Sequence, residues 1–256
     1  MLIHEIKDAL NEIAPLETQA EWDNSGVQIC YGPKDIKTII VAMEMTDELI
    51  TEAIENKADM IITHHPLIFD PIKSIHCCTP QGRFIKRLIQ NEIVLYSSHT
   101  PFDISKGGNT DHLMKLMGVT KVKVVPGTEE FLKAGVLAKE TTLADFAYML
   151  AEKLDLPGLK FTGDPEKKIK TVAACTGGGG EFVKDAVGFD LYVTGDVKYH
   201  DAQFALESGL AVIDAGHWGT EQIFVPNMAA QLRKKLGSKV TVIESKLNQD
   251  PFSFMV

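Results

Sequence analysis

A strand, a helix and a second strand follow one another near the start of the chain. Residues 38–43 form an apolar, β-branched run, apolar side chains recur at helical spacing through residues 49–54, and residues 59–62 form a second apolar run. Such runs are typical of parallel strands covered on both faces, and a parallel pair requires a right-handed helical crossover. The sequence therefore predicts a βαβ unit, and with it an α/β fold.

The same alternation continues along the chain. Further strands are predicted at residues 92–98, 133–138, 159–162, 169–174, 190–194, 210–214 and 240–243, and helices separate all of them except the pair at 159–162 and 169–174. The pattern resets around Pro126 and Gly127, and 256 residues suffice for two domains of ordinary size. We therefore expect two α/β lobes, residues 1–126 and residues 127–256.

Composition restricts the class of protein. Hydrophobic residues make up 45% and charged residues 24%, which is close to the globular average and argues against disorder. No apolar run approaches the roughly 18–20 residues that span a bilayer, and the first residues lack the basic-then-apolar order of a signal peptide. The cysteines show no CxxC spacing, as expected in a reducing compartment. We expect a cytoplasmic protein that does not enter a membrane.

The charge of the chain is acidic. Its formal net charge is −9, and basic residues form only short runs at 167–168 and 233–235. Because proteins that bind nucleic acids usually carry a basic stripe, this balance argues against nucleic acid as a partner. It favours a small-molecule ligand instead.

Three predicted strands each end in metal-type residues. These are His64 and His65, His99 and Asp103, and His217 and Glu221. One such pair alone is as typical of a polar loop as of a metal site. The last two pairs are spaced by four residues, so both members of a pair face one side if a helix begins early. Because sites in α/β sheets collect at the carboxyl ends of strands, the three clusters together favour a metal site over polar loops.

The kinds of ligand restrict the kind of metal. Imidazoles with carboxylates suit divalent Zn, Fe, Mn or Ni rather than a thiolate-bound ion. Their number exceeds the three protein ligands of a typical mononuclear catalytic zinc. A dinuclear site with ions about 3.5–4 Å apart and a bridging carboxylate would use them better. Two divalent ions would also allow an acidic protein to bind an anionic substrate.

Other motifs have structural and functional interpretations. The loop at residues 21–27 contains Trp22, which we expect to plug the core, the alternative being a loop that lines a site. The glycine run at 177–180 lacks a phosphate-loop Lys-Ser or Lys-Thr, so a sharp turn is favoured over anion binding. A soft-metal site at residues 76–78 is disfavoured because no second Cys/His cluster completes it.

Four stretches resemble a known family. Residues 22–26, 63–69, 99–103 and 216–221 are together similar to the NIF3-like family, whose members are often named GTP cyclohydrolase I type 2 homologs. The resemblance follows the whole chain in order. It implies two related α/β lobes with mixed sheets flanked by helices, and a dinuclear metal site between the lobes. It also implies a ring-shaped homohexamer whose metals face an inner cavity.

The resemblance also assigns roles to residues. It places the metal ligands at His64, His65, Asp103, His217 and Glu221. Glu221 would bridge the ions, and His99 would lie close by. The family pattern differs at Glu44, where relatives often carry Asp.

Two hypotheses about function follow. The first is a dinuclear metal-dependent hydrolase, for which the resemblance implies ring opening of GTP by activated water, although no residue singles out guanine. His99 and Glu221 are the catalytic candidates: His99 either transfers protons or orients Asp103, and both roles stay open. The second hypothesis is a ring protein that binds or delivers metal ions, or serves as a scaffold, without catalysis.

Overall fold

The computed structural model describes residues 1–32, 34–253 and 255. These residues divide into two compact units. The first unit comprises Met1–Gly108 and Phe224–Gln249. The second comprises Asn109–Ile223 together with the described residues after Gln249.

Strands and helices alternate along most of the chain. The strands, in chain order, are β1 (Gly26–Ile29), β2 (Thr38–Ala42), β3 (Met60–Thr63), β4 (Val94–Ser97), β5 (Val119–Val124), β6 (Lys133–Thr142), β7 (Lys160–Thr162), β8 (Lys168–Ala174), β9 (Leu191–Thr194), β10 (Ala211–Asp214) and β11 (Thr241–Glu244). The α-helices, in chain order, are α1 (Ile3–Ile13), α2 (Asp47–Glu55), α3 (Pro80–Gln90), α4 (Thr100–Ile104), α5 (Asn109–Leu116), α6 (Leu143–Lys153), α7 (Tyr199–Glu207), α8 (His217–Glu221) and α9 (Phe224–Leu236). Short 3-10 helices cover Leu16–Thr18, Gly179–Val183 and Gly237–Lys239.

The first unit is built on a mixed sheet in the order β1-β4-β3-β2-β11. Neighbouring strands of this sheet run parallel, except that β1 pairs antiparallel with β4. The parallel pairing of β2 with β3, joined through α2, confirms the predicted βαβ unit. Thr46 caps α2, because its hydroxyl oxygen accepts a hydrogen bond from the Leu49 N–H at 3.1 Å.

Both faces of this sheet are covered by apolar clusters. One cluster joins the sheet to α1 and α9, and the other joins it to α2 and α3. Side chains of β2 alternate between them: Ile39 and Val41 belong to the first, and Ile40 and Ala42 to the second. A strand packed on both sides must be apolar at every position, which is why its sequence is a continuous apolar run.

The second unit is built on another mixed sheet, in the order β5-β6-β8-β9-β10-β7. The central strands β8, β9 and β10 are parallel, and β5, β6 and β7 pair antiparallel with their neighbours. Apolar residues of α5 and α6 pack on one face, and Ala205 of α7 belongs to the cluster on the other. The predicted α/β class, with mixed sheets flanked by helices, is therefore confirmed.

The units differ from the lobes expected from sequence. Pro126 lies between β5 and β6, which pair directly within the second sheet, so no break in packing occurs there. At the other end, α9 and β11 belong to the first unit because β11 adds a parallel strand beside β2. Among the described residues, no helix is both long and apolar enough to cross a membrane.

Candidate metal centre

Two neighbouring parallel strands of the first unit lead into histidines. Thr63 of β3 lies opposite Ser97 of β4, and a hydrogen bond of 2.9 Å joins their hydroxyl groups. His64 and His65 follow β3 directly, and His99 follows two residues after β4. The parallel register therefore brings the three side chains to the same end of the sheet.

The three imidazoles form a compact group. The distances between ring centroids are 4.8 Å for His64 and His65, 5.2 Å for His64 and His99, and 5.1 Å for His65 and His99. One potential ligand nitrogen from each ring lies within 4.8 Å of the other two. His64 is fully buried, and His65 and His99 are partly buried. Such spacing can hold a metal ion.

His64 is fixed by a backbone carbonyl. Its Nδ1 lies 2.9 Å from the Ser98 carbonyl oxygen. Because a carbonyl oxygen can only accept, we assign the proton to Nδ1 and the lone pair to Nε2. That Nε2 lies 3.5 Å from Oδ1 of Asp103, a buried residue in α4. The lone pair of the imidazole therefore faces a carboxylate oxygen.

His65 and Glu44 form a second oriented pair. Glu44 follows β2, the strand next to β3, and its carboxylate accepts a hydrogen bond from Nδ1 of His65. The proton is again held on Nδ1, which leaves the lone pair on Nε2. The departure from the family pattern at Glu44 thus keeps a carboxylate in place beside this histidine.

Asp23 orients His99. The Asp23 carboxylate accepts hydrogen bonds from Nδ1 of His99 at 2.8 Å, the Ser25 hydroxyl at 2.7 Å and the Thr100 hydroxyl at 2.6 Å. Burial alone would raise the pKa of Asp23, but these hydrogen bonds and the positive charge that His99 can carry hold it well below its usual range. Asp23 is therefore an anion that fixes the ring of His99.

The second unit carries a separate cluster after β9 and β10. Asp196 follows β9, and its Oδ2 accepts a hydrogen bond of 2.7 Å from Nδ1 of His217 at the start of α8. Nε2 of His217 lies 3.1 Å from Oε2 of Glu221, one helical turn further along α8. Because α8 begins at His217 itself, the spacing of four places both side chains on one face of the helix.

The glycine run makes room for this cluster. Gly177 has a φ of +68°, and a Cβ at this position would lie 2.0 Å from Oε1 of Glu221. A Cβ on Gly195 would lie 2.6 Å from the backbone of Gly216 and His217. The favoured interpretation of residues 177–180 as a sharp turn agrees with this geometry, and the turn also gives Glu221 its space.

The nitrogen and oxygen atoms that both clusters could offer as ligands are of the kind that binds divalent cations. In His64, His65, His99 and His217, Nδ1 is hydrogen-bonded to an oxygen acceptor, which leaves the lone pair on Nε2. This is the usual arrangement for metal-bound imidazole, because the outer hydrogen bond fixes the tautomer and the ring. In each cluster an Nε2 also faces a carboxylate oxygen, at 3.5 Å in the first unit and 3.1 Å in the second. Two acceptors this close repel each other unless a proton or a cation lies between them.

The structure differs from the sequence-based predictions at some side chains. Asp196 lies two residues after the predicted strand at 190–194, at the kind of position that identifies the candidate ligands, and is not among the sequence-predicted site residues. The expectation that Trp22 plugs the core is wrong, because this side chain is 55% exposed. Cys77 and Cys78 are exposed free thiols, and no metal-type cluster found among the described residues contains a cysteine.

Comparison with known proteins gives the family. The chain matches the Duf34/NIF3 (NGG1p interacting factor 3) family over residues 1–251. It is 35% identical over 262 aligned residues to a GTP cyclohydrolase 1 type 2 homolog of Clostridium perfringens, with 100% of both chains covered. It is 34% identical to the GTP cyclohydrolase 1 type 2 of Helicobacter pylori, covering 87% of this chain and 88% of that one. A crystal structure of a Bacillus cereus protein related to NIF3 superposes with a TM-score of 0.93 at 25% identity, covering 100% and 99% of the two chains. The chain therefore belongs to the Duf34/NIF3 family.

Proposed function

We propose that the chain is a metal-dependent hydrolase in which His64, His65, Asp103, His217 and Glu221 hold two divalent ions in one dinuclear centre. The observation that carries this proposal is the repeated facing of an Nε2 lone pair and a carboxylate oxygen, once in each unit. Neither unit alone supplies the five ligands that the family resemblance assigns to the centre. Both clusters follow the carboxyl ends of parallel strands, where α/β proteins place their sites.

The chain's own residues can move the proton that hydrolysis requires. Divalent ions at such a centre supply Lewis acidity, which lowers the pKa of water and polarises the bond to be broken. His99 is the residue we assign to proton transfer, because Asp23 holds its Nδ1–H and leaves Nε2 to accept a proton and return it to the leaving atom. Asp23 also stabilises the imidazolium that forms between these two steps. Glu221 would hold the ions together with His64, His65, Asp103 and His217.

GTP is the substrate that we propose first. The curated relatives from Helicobacter pylori and Clostridium perfringens carry the names GTP cyclohydrolase 1 type 2 and its homolog. In that reaction water adds to C8 of the purine, the five-membered ring opens at nitrogen, and a further hydrolysis releases formate. The nitrogen that leaves C8 needs a proton, and protonated Nε2 of His99 is the group we assign to deliver it.

Metal analysis beside a turnover assay tests the proposal. We expect the purified protein to contain two divalent ions per chain and to release formate from GTP. Glu221→Gln should lose metal and turnover together, while Glu207→Gln, an exposed glutamate of α7, should keep both. Metal-loaded wild-type protein that hydrolyses neither GTP nor simple phosphoesters would refute the hydrolase. The second hypothesis, a ring protein that binds metal ions without catalysis, would then remain.

The assembly and location are further parts of the same proposal. We propose a homohexameric ring in the cytoplasm, as the family resemblance implies. The mass of the assembly, measured by light scattering, should be six times the chain mass of 28.2 kDa. A stable monomer or dimer at working concentration would contradict the ring.

A further inference from the structure

Two exposed aromatic rings stand beside the histidine cluster of the first unit. Trp22 is 55% exposed and Phe69 is 44% exposed, and their ring centroids are 6.1 Å apart with the planes tilted by 41°. Both meet the ring of His99 edge to face, Trp22 at 5.8 Å and Phe69 at 6.4 Å between centroids. We call Trp22 and Phe69 the aromatic pair. Two large rings that are this exposed beside a polar cluster suggest a binding role.

The backbone beneath Trp22 is anchored. Asp23, its neighbour, is only 8% exposed and receives the hydrogen bonds that also fix His99. The Asp23 N–H donates to the Ala20 carbonyl oxygen at 3.0 Å, which closes the turn that contains Trp22. The ring of Trp22 is therefore presented to solvent from a backbone that is held on its inner side.

The backbone beside Phe69 is anchored to the same loop. Nδ2 of Asn24 donates to the Ile68 carbonyl oxygen at 2.5 Å, and the Ile68 N–H donates to Oε1 of Gln28 at 3.0 Å. On the other side, Nε2 of Gln81 donates to the Leu67 carbonyl oxygen at 2.9 Å. Two loops distant in sequence are thus joined by side-chain amides. The aromatic pair is preorganised, so ordering it on binding costs little entropy.

We propose that the aromatic pair is the base-binding platform of the site, on which a purine base of the substrate stacks next to His99. This inference rests on the proposed function, since it specifies the part of the substrate that the chain recognises. Aromatic faces bind flat heterocycles by stacking, because every nucleobase has a π-face. Because the two rings are 6.1 Å apart and tilted by 41°, they form no parallel gap that could hold a base between them, and the base would stack on one of the two rings. Because both rings of the aromatic pair contact His99, a base stacked on either ring would lie close to the imidazole to which we assign proton transfer.

Tryptophan fluorescence and binding assays test the platform. The sequence contains two tryptophans, so the signal of Trp22 is the difference between wild type and Trp22→Phe, in which Trp218 remains. GTP and guanosine should quench that difference signal saturably, whereas ribose 5-phosphate and tripolyphosphate should not. Trp22→Leu and Phe69→Leu should each weaken GTP binding in equilibrium dialysis by about tenfold. Trp22→Phe keeps an aromatic face and should keep most of the affinity.

A matched control and the remaining outcomes complete the test. Tyr148→Leu removes a 79% exposed ring from α6 in the second unit and should leave GTP affinity unchanged. If Trp22→Leu and Phe69→Leu bind GTP like Tyr148→Leu, the platform is refuted, and a change in sedimentation of those variants would assign the aromatic pair to contacts between copies of the chain. Trp22-dependent binding of GTP without turnover would support the platform and refute only the hydrolase. Turnover with wild-type KM in Trp22→Leu would refute only the platform.

Discussion

Gly177→Ala is the sharpest test of the geometry around Glu221. Gly177 adopts a φ of +68°, and an added Cβ would lie 2.0 Å from Oε1 of Glu221 and 3.3 Å from Nε2 of His217. Ordinary van der Waals contact begins at 3.4 Å, so the carboxylate has to retreat by more than about 1 Å. Glu221 is buried, so a new position cannot be taken without moving its neighbours.

Two separate costs are expected from this substitution. The left-handed backbone costs an alanine about 1–2 kcal/mol of folding free energy. The displaced carboxylate costs metal affinity, because ligand distances must hold within about 0.2 Å. Displacing even groups that only support the ligands costs roughly 10–100-fold in affinity. We therefore expect at least that loss from Gly177→Ala, in addition to the loss of stability.

Gly209→Ala separates the two costs. Gly209 has a φ of +73° and a Cβ there would meet nothing within 4 Å, so this variant shares the backbone strain without the clash. Chelator competition monitored by elemental analysis measures metal affinity, and thermal unfolding of metal-free protein measures the strain. Both variants should unfold earlier than wild type, and only Gly177→Ala should lose metal. Equal metal affinity in the two variants would refute the assignment of Glu221 as a ligand held in place by the glycine turn.

Three further predictions address other parts of the chain. Asp23→Asn should lower turnover by about 100-fold or more, because the anion that fixes the ring of His99 is removed; unchanged turnover would leave Asp23 as a purely structural residue. Asp190→Asn should cost about 1 kcal/mol at pH 7, because the Asp190 carboxylate accepts hydrogen bonds from Lys170 and Thr171 at 2.8–3.0 Å. Burial raises the pKa of Asp190, but these hydrogen bonds outweigh it and lower that pKa below its usual value, so the stabilisation is present above about pH 4 and is lost as the pH falls through the folded-state pKa. A difference between the two denaturant midpoints that does not shrink on acidification would contradict this. Chelation should lower the unfolding temperature, and re-addition of metal should restore it. At a metal concentration a hundredfold above Kd, binding adds about 2.7 kcal/mol to the free energy of unfolding. An unfolding temperature that does not respond to metal would count against any metal site in the native state.

The buried strands could be predicted because their sequences allow little else. β2 and β3 are apolar at nearly every position, as strands packed on both faces must be. β5 escaped prediction because its valines alternate with threonine and lysines, and most of its side chains are exposed. The pairing of β11 with β2 could not be read from the sequence, because no local pattern specifies which distant strand forms the neighbour. That pairing is why Phe224–Gln249 belongs to the first unit and not to the C-terminal lobe expected from the sequence.

Candidate ligands were easier to predict than the groups that orient them. His64, His99 and His217 follow strands, and that position can be read from the sequence directly. Their acceptors are a backbone carbonyl at Ser98 and the carboxylates of Asp23 and Asp196, which are chosen by how loops pack. Every residue has a backbone carbonyl, so the sequence cannot indicate which carbonyl accepts a hydrogen bond from a histidine. Of the two carboxylates, Asp196 sits after a strand and could have been found by the same rule as the ligands.

The exposure of Trp22 shows how polar satisfaction can override hydrophobic burial. Sequence reasoning expects a lone tryptophan in a polar loop to turn inward, since burying its ring removes a large apolar area from water. In this loop the buried place is taken by Asp23, whose carboxylate accepts hydrogen bonds from His99, Ser25 and Thr100. The Thr100 hydroxyl is buried and the other two donors are partly buried, and leaving such groups without an acceptor is costly. The loop therefore turns Asp23 inward and Trp22 outward, and the exposed ring becomes available to a ligand.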